Sequence, residues 1–112
     1  MKKLILIALL CGTTVFMYSC KAKKGTAPKP ATVLAAAQQR WPDVTEESLA
    51  KGKTILTTRC VKCHPAKPIT KFTEKEWEKI LTKMSPKAKL NTEEAETLRR
   101  FVLASRQMKK NI

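Results

Sequence analysis

The chain has one histidine, three glycines and nine acidic residues, and no stretch of it sustains the alternating apolar and polar pattern of a strand. The missing alternation leaves an all-α fold. One histidine means a single imidazole for any metal or cofactor, with no second one to compete. At 112 residues with six prolines, the chain has room for one small domain and its tails, which argues against a large buried substrate pocket. Acid is scarce beside 23 Lys and Arg, a surplus that alone would suggest nucleic acid, anionic lipid or an acidic protein as partner.

The N-terminus narrows that choice. Met1-Lys2-Lys3 is a short positive segment, and the apolar run opening at Leu4 is too short and too poorly flanked for a stable spanning helix, so it reads as an export signal over residues 1–19. The run ends at Val15-Phe16-Met17-Tyr18-Ser19-Cys20, which resembles the lipobox of bacterial lipoproteins. That resemblance implies lipidation of Cys20 and an anchor in a membrane. The alternative is an ordinary cleavable signal with an incidental cysteine. An exported lipoprotein rarely meets nucleic acid, which removes that partner. Lys21 stands where enteric lipoproteins kept in the inner membrane carry aspartate, so the outer membrane is favoured over the inner for a periplasm-facing lipoprotein of a Gram-negative bacterium.

Residues 20–31, with several lysines and two prolines, have nothing large to bury and read as a solvated basic tether; ten such residues reach ~33–36 Å when fully stretched. Residues 32–43 are expected to form a short helix started by Thr32 and ended by Trp41-Pro42, with Trp41 as a lid or core residue. The compact domain is placed at 44–108, with a polar tail at 109–112. Thr45-Glu46-Glu47 starts its first helix, whose face carries Leu49, Gly52, Ile55 and Leu56. Thr73 and Glu76 make a capping box for the second, with Trp77, Ile80, Leu81 and Met84 on one stripe and Ser85-Pro86 as its stop. Asn91 and Glu94 start the third, which turns Ala95, Leu98, Phe101 and Val102 inward. Three short helices over some 65 residues give a poor core, and a domain this small needs a metal, a cofactor or an oligomer.

Cys11 is lost with the signal and Cys20 is taken by lipid, which leaves Cys60 and Cys63 in the stretch CVKCH, residues 60 to 64. Four chemistries compete for it. A Cys60–Cys63 disulfide would close a very small loop and restrain little. A thioredoxin-like dithiol expects a βαβ context. Structural zinc wants four ligands, and Cys60, Cys63 and His64 supply three. Covalent haem uses all three residues: two thiols on one turn each add to a porphyrin vinyl group, and the following histidine becomes the proximal iron ligand.

Residues Thr45 to Leu103 then resemble a small class I type cytochrome c domain, with Gly52 eight before Cys60, Leu56 four before it and Phe101 on the last helix. In that family the glycine lets the first and last helices cross closely beside an aromatic residue. The resemblance implies three main helices wrapped around one covalent haem c, and one-electron transfer between redox proteins with no substrate transformed. Met84, twenty residues past His64 on an inward stripe, is the expected second axial ligand; core filling is the alternative. Met108, in the polar tail, fits poorly. Pro65 and Pro68 stiffen the segment after His64, where a backbone carbonyl could fix the ring. Trp77 is expected in the core, with contact to the haem edge as the alternative, and Lys62, Lys67, Lys71, Lys75, Lys79, Lys83, Lys87 and Lys89 form a docking ring for acidic redox partners or a solvated face. Without the methionine ligand the iron would be open, as in a gas sensor or peroxidase-like enzyme; a zinc module and a haem subunit of a larger oxidoreductase are the other rivals.

Overall fold

The computed structural model describes residues 31–110; the signal, Cys20 and all but the last residue of the tether lie outside them. Four α-helices form there: α1 Val33–Gln38, α2 Glu46–Thr58, α3 Glu74–Lys87 and α4 Thr92–Lys110. Between α2 and α3 the chain makes two single turns of 3-10 helix, Cys60–Lys62 and Ile69–Lys71. No strand occurs among the described residues, as the all-α expectation requires, and none of their helices is long and apolar enough to cross a membrane.

The helix starts follow from short polar motifs. Thr32 Oγ1 accepts from the Ala35 amide at 3.0 Å. Thr45 and Ser48 cap each other's backbone, as do Thr73 and Glu76, and Asn91 and Glu94 do the same at 2.8 and 3.0 Å. Each of the two boxes ahead of α2 and α3 is stapled by apolar residues on either side of it: Val44 and Leu49 share one buried cluster, and Phe72 meets Trp77 edge to face with ring centroids 5.4 Å apart.

α4 is the hub. Leu98, Val102 and Leu103 on it are the largest fully buried side chains, and they join Ile55, Trp77 and Leu81 in one cluster. A second cluster sets Ala36 and Ala37 of α1 and Leu49 of α2 against Ala104. At the α2–α4 crossing, a Cβ built on Gly52 would lie 2.6 Å from Phe101 Cβ and 2.7 Å from the Thr97 carbonyl oxygen, so only glycine allows this approach. The roles expected of Gly52 and Phe101 are thus geometric facts of the crossing.

Three boundaries differ from expectation. The compact body begins before Val44, because the alanines of α1 have small side chains that let it pack flat on α4. α3 runs past Ser85-Pro86 to Lys87: a proline in the last turn forfeits one hydrogen bond, and buried Leu81 and Ser85 hold the chain helical around it. The stop is instead a Schellman turn in which the Lys89 amide donates to Pro86 O at 3.0 Å and the Leu90 amide to Ser85 O at 3.0 Å. Lys89 takes the left-handed conformation there, at φ 53°. Finally, α4 runs on to Lys110, into the expected tail, and Met108 near its end packs on the α1 cluster.

Candidate functional site

α2 ends at Thr58, and the chain turns through CVKCH directly beneath the apolar stripe of α3. Between them lies a cavity of about 710 Å³, inside the ~300–1,000 Å³ range of small-molecule and cofactor sites. α2 contributes Leu56, the turn contributes Cys60, Cys63 and His64, Phe72 lies just before α3, and α3 contributes Trp77, Ile80, Leu81 and Met84. Four residues singled out for one chemistry therefore line one space. Its cationic rim is Arg59, Lys62, Lys67, Lys87 and Lys89, and no acidic side chain lines it.

Both thiols are free; Cys60 is half-buried and Cys63 exposed. Burial pushes the Cys60 thiol above its ordinary range, against the opposing charge of Arg59. His64 Nδ1 lies 3.0 Å from the Pro65 carbonyl oxygen. A carbonyl can only accept, so this bond puts the proton on Nδ1 and leaves the Nε2 lone pair available to a metal. The carbonyl expected somewhere after His64 is thus that of the next residue.

Trp77 is 4% exposed and donates from Nε1 to Ile69 O at 2.8 Å, so it is both core and cavity wall. Trp41 does not line the cavity. It joins the two buried clusters, with the Arg40, Arg99 and Arg100 guanidinium groups 4.7 to 5.8 Å from the ring centroid. Met108 does not line the cavity either. Of the eight lysines, Lys62, Lys67, Lys87 and Lys89 reach the rim, while Lys75, Lys79 and Lys83 lead along exposed α3 toward Lys87. No ion pair engages any of the eight among the described residues.

Four lining residues escaped sequence reasoning: the small Ala66 and Ala88, and the larger Phe72 and Arg59. Phe72 had a readable signal, an apolar residue just before a Thr-x-x-Glu box. Arg59 had none, since its partners lie 29 to 35 residues further on: Ala88 O, Lys89 O and Glu94. No group of three or more His, Cys, Asp and Glu side chains gathers to hold a metal ion among the described residues. No protein-family model, curated protein or solved structure matches the chain.

Proposed function

We propose that the chain is a mono-haem c-type cytochrome of small class I type, lipid-anchored through Cys20 on a periplasm-facing membrane, that carries single electrons between redox proteins. The observation that carries this reading is the convergence of Cys60, Cys63, His64 and Met84 on one largely apolar cavity. Cys60 and Cys63 would hold haem through thioether bonds, His64 through Nε2 and Met84 through its sulfur. Bound haem supplies a one-electron Fe(III)/Fe(II) couple.

The rest is done by the chain. The Pro65 carbonyl orients the imidazole and makes its free nitrogen a better donor. Leu56, Phe72, Trp77, Ile80 and Leu81 keep water from the cavity walls, and a dry pocket with a neutral thioether donor favours the reduced state. The carboxylate-free, basic rim suits the propionates of a porphyrin and an acidic partner docking over the same edge. A zinc module would need a fourth donor that the site does not offer.

Carbon monoxide tests the second axial position. The reduced wild-type protein is expected to resist the gas, and a Met84→Ala variant to bind it readily with an altered visible spectrum. Rapid binding by the wild type, with a spectrum that Met84→Ala leaves unchanged, would reject axial methionine and favour an open-iron sensor or peroxidase-like enzyme.

A further inference from the structure

The reading above counts Arg59 only as one of the rim's positive charges, yet its side chain is the most connected on the cavity rim. It caps α2 immediately before Cys60 and is about one-third exposed, at 33%. Nη2 donates to the carbonyls of Ala88 and Lys89 at 3.0 and 2.9 Å, and Nη1 lies 3.4 Å from Glu94 Oε1 in the first turn of α4. The first carbonyl is that of the C-cap at the negative end of α3, and the second is that of the left-handed residue after it. Ser85 O and Pro86 O are taken by the Schellman turn and Met84 O accepts from the Ala88 amide at 2.9 Å, so a guanidinium meets acceptors that the helix cannot satisfy itself. It does so where Lys89 holds the one positive φ of a non-glycine residue among the described residues, a conformation that persists only when its surroundings determine it.

We propose that Arg59 is a positioning residue: it fastens the turn after α3 to the segment that bears Cys60, and thereby holds Met84 at the cavity. The inference rests on the reading of Met84 as an iron ligand. The connection is short. Arg59 grips Ala88 O, and the amide of the same residue is bonded to Met84 O. Arginine suits the task because its rigid planar guanidinium serves both carbonyls from Nη2 while Nη1 faces Glu94, three acceptors that a lysine ammonium on a flexible stem holds poorly.

The test uses matured full-length protein with Arg59→Ala, Arg59→Lys and, as reference, Met84→Ala. Amide hydrogen exchange reports on the Ala88, Lys89 and Leu90 amides, and carbon monoxide binding to the reduced protein reports on the sixth ligand. Arg59→Ala is expected to speed exchange at those three amides by about tenfold or more, in keeping with the loss of charge-assisted hydrogen bonds. The amides of the α2–α4 crossing should be unaffected, and gas binding should accelerate toward that of Met84→Ala. Should Arg59→Ala not fold, Arg59→Lys is expected to give the same local pattern at a smaller amplitude. Unchanged exchange at the three amides, or equal acceleration everywhere, with Met84→Ala behaving as a ligand loss, would overturn the role of Arg59 alone. A Met84→Ala spectrum identical to wild type would overturn methionine ligation, and the positioning role with it, whatever the exchange shows.

Discussion

The two sides of α4 are finished differently. Toward α1 and the first half of α2 the packing is protein on protein: Ala36, Ala37 and Ala104 have no exposed surface, and the Gly52 crossing has no room for a methyl group. Toward α3 the packing stops short. Trp77 and Leu81 are buried, but Leu56, Ile80 and Met84, on the same apolar faces, are only half-buried and look into a cavity of about 710 Å³. Beyond the shared cluster of Ile55, Trp77 and Leu81, the apolar faces of α2 and α3 diverge around that space, and two thiols and an oriented imidazole stand at the gap.

The comparison can be broken most severely at the crossing. Gly52→Ala forces a methyl group against the Thr97 carbonyl and the base of the Phe101 side chain, and overpacking of this kind costs about 1–3 kcal/mol. Chemical denaturation should show that loss while the colour of the matured protein is retained, because the cavity walls are untouched. A variant as stable as its parent would mean that the crossing is looser than its geometry.

A smaller effect sharpens the contrast from the α3 side, where the attachment to α4 is partly ionic. Arg99 donates to both oxygens of Glu78, at 2.8 and 2.6 Å, and this hydrogen-bonded charge holds the Glu78 carboxyl below the usual glutamate range. A depressed folded-state pKa contributes stability that is present above the unfolded value, ~4.3, and lost as the pH falls through the lower folded value. Both side chains are about one-third exposed, at 36% and 32%, so screening limits the pair to at most ~1 kcal/mol. Arg99→Gln should therefore lower stability by up to about that amount at pH 7, and the difference should vanish once the pH has fallen through the lowered folded value of Glu78. An undiminished difference in acid would assign the effect to packing against Trp41.

Much of this was legible because the relevant signals are local. Thr32, Thr45, Thr73 and Asn91 each mark a helix start by hydrogen bonds spanning three residues, and CVKCH carries its spacing within five. The i, i+3, i+4, i+7 stripe from Trp77 to Met84 likewise fixed which side of α3 would face inward. Sequence reasoning failed where the outcome depends on distant partners. Pro86 looked like a stop, but burial of Leu81 and Ser85 and the turn at Lys89 decide where α3 ends. The alanines of α1 looked like a lead-in because small residues declare nothing until the facing Ala104 is known. Arg59 was invisible as a clamp for the same reason: its acceptors are backbone carbonyls, which any residue supplies.

The central claim is that a covalently held porphyrin completes the α3 side of the core. The direct measurement is the absorption spectrum in alkaline pyridine of the denatured protein, made in cells able to mature c-type cytochromes. The account predicts the haem c signature, one haem per chain, remaining with the polypeptide after denaturation and lost when Cys60 and Cys63 are both replaced by alanine. Protein from those cells that is colourless and nevertheless melts cooperatively would contradict it.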